Sequence, residues 1–301
     1  MPANFPHNSA CAAGNVICPV CRALTRNRSK IMPELPEVEI TCRGIEPHVL
    51  GRRITAVVVR DARLRWPVAD SLATTLARLK VRAVRRRAKY LILEFGKGAL
   101  IIHLGMSGSL RLLASGEKAR PHDHVDIVFG DTLLRFRDPR RFGCVIWQPG
   151  DAEKHPLLRD LGVEPLGLEF SGDYLHQATR HRKVAIKQLL MNQAVVVGVG
   201  NIYASESLFR AGIRPQTRSG RLSRERCAAL AGAVVETLQE SLRAGGSSLR
   251  DYVHSNGELG RFQLQTLVYD RAGAQCRHCS TPIREFRQGQ RSTFYCPRCQ
   301  I

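Results

Sequence analysis

Two cysteine pairs near the end of the chain constrain its fold more than any other feature of the sequence. Cys276 and Cys279 form one Cys-x2-Cys pair, Cys296 and Cys299 form a second, and 16 residues separate the pairs. Two such turns can bring four thiolates into a tetrahedron around Zn²⁺. Disulfides are the alternative, which a reducing compartment disfavours. Since four sulfur ligands leave no position for an activated water, the pattern predicts one structural zinc ion and places catalysis elsewhere.

The remaining cysteines lack the regular spacing of a disulfide framework, which favours a reducing, cytoplasmic location. They are Cys11, Cys18, Cys21, Cys42, Cys144 and Cys227. Cys18 and Cys21 have the spacing of a metal-binding pair, but no second pair lies near them. A chance spacing is therefore favoured over a second metal site.

The charge balance indicates a polyanionic partner. Lysine and arginine outnumber aspartate and glutamate 46 to 26, giving a net charge of +20 and a pI near 10.2. Nucleic acid is the leading candidate, and a basic surface that serves only solubility is the alternative. No run approaches the roughly 18 apolar residues of a membrane span, and Gly14, Asn15 and Pro19 interrupt the one candidate for a secretory signal. A soluble protein without a membrane partner is expected.

Hydrophobic patterning predicts an α+β protein of two domains. A helix is expected over Val38 to Leu50, broken or ended near Pro47 and Gly51. Short apolar and β-branched runs then predict a β-sandwich or barrel, with either a two-residue hairpin turn or a slightly longer loop at Gly130-Asp131. The runs are Ile54–Val59, Tyr90–Phe95, Ala99–Leu104, Val125–Phe129 and Leu133–Phe136.

Beyond residues 162–167 the spacing becomes helical, which predicts a second, helical domain that ends in a polar, functional loop at 247–262. Between the cysteine pairs, basic and aromatic side chains predict a hairpin suited to gripping phosphates. They are Arg284, Phe286, Arg287, Arg291 and Phe294. The predicted division is an extension (1–31), a sandwich domain with flanking helices (32–163), a helical domain (164–265) and a zinc-finger hairpin (266–301).

Six short motifs occur in order from residue 32 onward. They are Met32–Glu39 (MPELPEVE), Arg87–Tyr90 (RAKY), His103–Gly108 (HLGMSG), Asp138–Gly143 (DPRRFG), Gly198–Tyr203 (GVGNIY) and Gln290–Cys296 (QRSTFYC). The order and content resemble the superfamily of formamidopyrimidine-DNA glycosylase and endonuclease VIII, over Met32 to Ile301. Leu35 favours the formamidopyrimidine branch, because the other branch usually has glycine there. The resemblance implies a base-excision-repair glycosylase with AP lyase activity on oxidised purines, with a glycosylase for oxidised pyrimidines as the alternative, and a helix-two-turn-helix around 198–203.

The nucleophile that the resemblance implies is the backbone amine of Pro33. A deprotonated secondary amine can attack the anomeric carbon of a damaged nucleotide and expel the base. The resulting iminium has no N–H to lose, so it stays cationic while both neighbouring phosphates are eliminated. While Pro33 is peptide-bonded to Met32, its nitrogen is an amide and cannot react in this way.

The resemblance assigns further roles around this nucleophile. Glu34 is the acid/base and Glu37 supports it, although both also suit the acidic start of a helix. Lys89 would neutralise a phosphate near the lesion, although most lysines are solvated surface residues. The remaining implied phosphate-binding and supporting residues are His103, Asn201 and Arg291. Asn201 otherwise suits a helix N-cap.

An enzyme that extrudes a base from duplex DNA needs side chains that fill the gap. The resemblance assigns Met106 and Phe142 to the wedge and Arg140 to the orphaned base, and Arg141 could share that role. Taken singly, Met106 and Phe142 also suit a hydrophobic core. The expected partner is double-stranded DNA that carries oxidised bases or abasic sites, bound by a monomer in the bacterial cytoplasm at the nucleoid.

The first 31 residues depart from the family pattern. One explanation is an upstream start site, so that the mature protein begins at Pro33 after removal of Met32. Another is a cleaved organellar targeting peptide, because the segment carries Arg22, Arg26, Arg28 and Lys30 and no acidic residue. A third is a non-catalytic, zinc-bearing DNA-lesion-binding protein that retains the extension.

Overall fold

A computed structural model describes residues 33–245 and 266–301. The extension at 1–31, with Cys18 and Cys21, and the polar loop predicted at 247–262 lie outside the described residues. Among the helices that are described, none is long and apolar enough to cross a membrane.

Eight strands form the predicted sandwich from two four-stranded antiparallel sheets, ordered β1-β6-β7-β5 and β2-β3-β4-β8. The strands are β1 (Ala56–Val59), β2 (Ala83–Arg87), β3 (Tyr90–Phe95), β4 (Gly98–His103), β5 (Ser109–Ala114), β6 (Asp123–Val128), β7 (Thr132–Arg137) and β8 (Cys144–Pro149). Gly130 and Asp131 form the predicted hairpin turn, because Phe129 N–H donates to the Thr132 carbonyl at 2.8 Å and Gly130 has φ +83°.

The first helix, α1, spans Leu35–Val49 and therefore starts three residues before the predicted helix. Pro36 lies in its first turn, where a missing N–H costs little. The helix ends at Val49, between Pro47 and Gly51, as expected, and Pro47 itself lies inside the last turn. There the ring removes one hydrogen bond of a helix that stops two residues later. A short helix, α2 (Leu72–Leu76), follows β1.

In the described part of the second domain, up to residue 245, there are four α-helices: α3 (Gly172–Thr179), α4 (Ile186–Leu190), α5 (Asn201–Arg210) and α6 (Arg224–Arg243). Ser171 and Ser223 cap α3 and α6 by accepting backbone N–H bonds. The N-cap of α5 is Gly200, so the N-cap prediction for Asn201 is wrong by one position. The hairpin of β9 (Arg284–Gln288) and β10 (Arg291–Tyr295) lies between the two cysteine pairs.

Helix α1 belongs to two hydrophobic cores. Val38 and Ile45 pack in the sandwich core, to which both sheets contribute. Leu35 instead packs in the core of the helical domain, with Ile202 and Leu208 of α5. The residues just before α1, Pro33 and Glu34, therefore lie where the two cores meet.

Candidate active site

Pro33 is buried at the start of α1. The next residues are held against the turn that precedes α5, since Leu35 N–H donates to the Gly198 carbonyl at 3.1 Å. Gly198 has φ +79°, and a Cβ there would come within 2.7 Å of Leu35 Cβ. This close approach requires glycine and brings the start of α1 and the helical domain together at one point.

The Glu34 carboxylate lies in a cradle of backbone N–H groups at the N-terminus of α5. Gly200 N–H donates to it at 2.7 Å and Ile202 N–H at 3.0 Å. Burial raises the pKa of Glu34, while Lys89 lowers it and Glu37 raises it further. The N–H donors of Ile202 and Gly200 also lower it without reversing the direction. A buried carboxyl with a raised pKa suits proton transfer at neutral pH.

Glu37 connects Glu34 to the helical domain. One of its oxygens accepts the Glu34 N–H at 2.9 Å, which is half of a capping box. Its other oxygen accepts the Tyr203 hydroxyl at 2.8 Å, and Tyr203 contacts Ser241 Oγ at 2.7 Å. Both interpretations of the acidic pair are therefore compatible: the carboxylates start a helix and also face the same buried site.

Lys89 follows Ala88, whose φ of +53° turns the chain from β2 into β3. The turn is fixed by Glu164, which accepts the Ala88 N–H at 2.7 Å and pairs with Arg86. Lys89 is partly buried. Burial lowers its pKa, and the charge of Glu34 opposes that shift, so the two groups interact electrostatically. The solvated strand-edge interpretation does not describe this residue.

Lys187 on α4 is a further cation at the site that the sequence patterns missed. Its side chain is 2% exposed, and its ammonium donates to Thr293 Oγ1 at 2.8 Å. Burial lowers its pKa to about 7, with Glu34 opposing and Arg291 adding to the shift. The sequence could have indicated that Lys187 is buried, because it lies between Ile186 and Leu189 on the apolar face of a helix.

Arg291 and Asn201 lie beside this lysine. Arg291, Lys187 and Gln188 line an open cavity of about 180 Å³. Asn201 Nδ2 donates to the Ser292 carbonyl at 3.0 Å, which joins the start of α5 to the zinc-finger hairpin. The cavity therefore gathers cationic and amide groups suited to phosphate.

His103 at the end of β4 is a neutral imidazole. Burial lowers its pKa to about 4, and the charge of Lys89 contributes to the shift. Its Nδ1 accepts the Gly105 N–H at 2.9 Å, and its ring lies 4.8 Å from that of Tyr90. The residue orients the loop after β4 and carries no charge at neutral pH.

The proposed wedge residues lie on two neighbouring loops, residues 104–108 and 138–143. Met106 is partly buried, and Phe142 is 42% exposed. The guanidinium of Arg140 lies 4.7 Å from the centre of the Phe142 ring. Arg141 instead pairs with Asp61 at 2.8 Å and has φ +57°.

The four predicted zinc ligands form one cluster in which all sulfur atoms lie within 4.8 Å of one another. Cys276 and Cys299 are 3.9 Å apart at their sulfurs, and Cys279 and Cys296 are 3.5 Å apart. Tetrahedral zinc with bonds of about 2.3 Å separates its sulfurs by about 3.8 Å. The donor set and its geometry therefore fit one structural zinc ion, which would hold the hairpin in place.

Three successive parts of the chain match known domain families. They are the formamidopyrimidine-DNA glycosylase N-terminal domain over residues 32–145, the formamidopyrimidine-DNA glycosylase H2TH domain over 161–253, and the zinc finger found in FPG and IleRS over 275–301. Together with the sandwich and the buried Pro33–Glu34 pair, they define a zinc-finger DNA glycosylase of the helix-two-turn-helix class.

Relatives and solved structures narrow the class further. Formamidopyrimidine-DNA glycosylases of Paraburkholderia phymatum and Aromatoleum aromaticum are each 58% identical, over 89% of this chain and 100% and 99% of their own lengths. The MutM (Fpg) protein of Thermus thermophilus superimposes with a TM-score of 0.80 at 36% identity, covering 89% of this chain and 98% of that protein. Lactococcus lactis Fpg, in complex with DNA containing N7-benzyl-Fapy-dG, gives a TM-score of 0.81 at 32% identity over 89% and 99%. The chain belongs to the formamidopyrimidine-DNA glycosylase family.

Proposed function

We propose that this chain removes oxidised purines, such as 8-oxoguanine and formamidopyrimidines, from duplex DNA and then cleaves the strand at the abasic site. Family membership makes it a base-excision-repair glycosylase. The observation that carries the detailed proposal is the buried Pro33–Glu34 pair, whose carboxylate lies in the N–H cradle of α5 and interacts with Lys89. This arrangement supports assigning the nucleophile to Pro33, the proton donor to Glu34 and phosphate binding to Lys89 and Arg291.

The proposed reaction uses these groups in sequence. The Pro33 nitrogen bonds to the anomeric carbon, the base leaves with the electrons of the glycosidic bond, and the proton of the Pro33 N–H passes to the departing base. Glu34 gives its proton to the sugar ring oxygen as the ring opens, which leaves an iminium. Transfer of a C2′ proton to the Glu34 carboxylate then expels the 3′ phosphate, and loss of a C4′ proton to solvent expels the 5′ phosphate. Lys89 and Arg291 neutralise charge on the phosphates.

Several finer assignments belong to the same proposal. The protein acts as a monomer at the bacterial nucleoid, with domains at 32–163, 164–265 and 266–301. Met106, Phe142 and Arg140 fill the gap left by the extruded base, while the ion pair with Asp61 supports a structural rather than a DNA-contacting role for Arg141. The catalytic species begins at Pro33, because an acylated proline nitrogen has no available lone pair.

Borohydride trapping tests the chemistry directly. Protein that begins at Pro33 is incubated with a duplex that carries 8-oxoguanine opposite cytosine, and borohydride reduces the iminium to a stable amine that links protein to DNA. The matched control retains Met32. A covalent complex from the first protein alone is expected. No complex from either protein contradicts the glycosylase/lyase proposal, and equal trapping by both would make a lysine the nucleophile.

A parallel duplex with an oxidised pyrimidine tests lesion class. Faster excision of 8-oxoguanine is expected for the formamidopyrimidine branch. The reverse order would favour the endonuclease VIII-like alternative.

A further inference from the structure

The two loops that carry the wedge residues are joined by a buried carboxylate. Asp138 is 0% exposed and begins the second loop. Its Oδ1 accepts the Ser107 hydroxyl of the first loop at 2.7 Å. Its Oδ2 accepts the Gly143 N–H at 2.8 Å, which closes the second loop on itself. One side chain therefore fixes both loops.

Arg140 is tied to the same group. Its backbone N–H lies 3.2 Å from both Ser107 Oγ and Asp138 Oδ1. The backbone carbonyl of Asp138 in turn accepts a bond from His124 Nε2 at 2.8 Å, which anchors the carboxylate's residue to β6. The backbone of Arg140 is thus held by Ser107 and Asp138 together.

Glycines allow the two loops to touch at their backbones. A Cβ on Gly105 would lie 2.6 Å from Gly143 N, and a Cβ on Gly143 would lie 2.5 Å from the His103 carbonyl. Both distances are shorter than real Cβ contacts, so only glycine permits this approach. Met106 and Phe142 consequently project from one rigid unit rather than from two independent loops.

We propose that Ser107 and Asp138 are positioning residues for base extrusion: their hydrogen bond locks both wedge loops into one preorganised unit that enters the duplex as a whole. This inference rests on the proposed function, since it concerns the step that delivers the base to Pro33. Preorganisation removes the cost of ordering two loops in the transition state for extrusion. Neither residue contacts the reacting atoms, so the chemical steps do not depend on them.

The matched variants are Ser107→Ala and Ser115→Ala. Ser107→Ala removes the hydroxyl that joins the loops and leaves the Asp138–Gly143 bond intact. Ser115 is exposed and donates to the Gly130 carbonyl at the far hairpin, so Ser115→Ala removes a similar bond elsewhere. Asp138→Asn is the stronger variant, because it removes the negative charge and replaces one acceptor oxygen by an NH2 donor, which either opposes the Gly143 N–H or reverses the hydrogen bond with Ser107.

Three measurements separate positioning from general damage. The first is single-turnover excision of 8-oxoguanine from a duplex, which requires extrusion. The second is cleavage of a single-stranded abasic oligonucleotide, which requires the chemical groups but no wedge. The third is the fluorescence of a base analogue opposite a non-cleavable abasic analogue in a duplex, which reports wedge insertion without catalysis.

Ser107→Ala is expected to slow duplex excision and the fluorescence rise about tenfold, the effect of one ordinary hydrogen bond. Its single-strand cleavage should stay within about twofold of wild type, and Ser115→Ala should match wild type in all three assays. Asp138→Asn should slow extrusion about a hundredfold. If Asp138→Asn does not fold, Ser107→Ala decides.

Two results would overturn the proposal: duplex rates for Ser107→Ala equal to those of Ser115→Ala, or single-strand cleavage that falls as far as duplex excision. A wild-type protein that gives the fluorescence rise but no excision would refute the proposed function. The positioning role would then still be decided by the fluorescence of the two serine variants.

Discussion

Gly200→Ala tests the Glu34 cradle without changing any ionisable group. The backbone at Gly200 has φ −119°, which alanine adopts readily, so the effect is one of space alone. A Cβ there would lie 2.3 Å from Glu34 Cδ, whereas ordinary contact starts at 3.4 Å. The carboxyl group must therefore move by about 1.1 Å, the difference of the two distances.

That movement weakens the bonds from Gly200 N–H and Ile202 N–H and misplaces the proton donor. A misplacement of about 1 Å at a reacting group costs about a hundredfold in rate, equivalent to about 2.7 kcal/mol. Single-turnover excision of 8-oxoguanine at excess protein should fall by that factor. Gly232→Ala on α6 is the matched control: nothing lies within 4 Å of its Cβ, and an alanine in a helix interior should stabilise by about 0.5–1 kcal/mol and leave excision unchanged.

A double-mutant cycle with Glu34→Gln sharpens the test. If Gly200→Ala acts through Glu34, it should add little on the Glu34→Gln background. An excision rate for Gly200→Ala within about threefold of wild type would refute the proposed role of the cradle. So would a double variant whose loss of rate equals the product of the losses of the two single variants.

Three further perturbations follow from the site and the cores. Burial lowers the pKa of Lys187 to about 7, and binding of a DNA phosphate favours its protonated form, so DNA affinity should weaken as pH rises through neutrality. In fluorescence-anisotropy titrations, Lys187→Met should show a weaker dependence of affinity on pH. An equal dependence in the variant and the wild type would contradict this. Cys296→Ser should lose zinc, by metal analysis, together with DNA affinity, and unchanged affinity after zinc loss would refute the role of the hairpin. Arg135 is 2% exposed and forms an ion pair with Asp126 at 2.8 Å. Because Arg135→Met leaves the Asp126 carboxylate without this partner, the variant should lower the free energy of unfolding by about 3–5 kcal/mol, measured by urea unfolding. An unchanged urea midpoint would count against this.

Local signals in the sequence were sufficient for much of the fold. The cysteine pairs and the Gly130-Asp131 turn act over a few residues, and the structure confirms both. Strand β2 was missed because Ala83–Arg87 is dominated by arginines. Arg85 and Arg86 are accommodated there by pairing with Glu94, Glu153, Glu39 and Glu164, which no hydrophobic pattern reports.

The parts of the site that the sequence did not predict depend on contacts between residues far apart in the chain. Glu34 meets the Gly200 N–H across 166 positions, and Lys187 meets Thr293 across 106. The motifs that carry the family resemblance identified Glu34, but neither its N–H cradle nor the burial that raises its pKa. Lys187 was not predicted as a site residue, because a single lysine in an apolar helix usually points to solvent and only interrupts the hydrophobic pattern. Its ammonium reaches β10, where it donates to the Ser292 carbonyl and to Thr293 Oγ1.

Because α1 belongs to both cores, the position of Pro33 and Glu34 depends on the folding of both domains. While either half of the chain is still unfolded, for example on the ribosome or after heat damage, Leu35 or Val38 lacks its packing partners. Pro33 and Glu34 then have no fixed position, and the Gly200 cradle stands apart from its carboxylate. Pro33, Glu34 and the N–H groups of Gly200 and Ile202 therefore form one site only when both cores have folded.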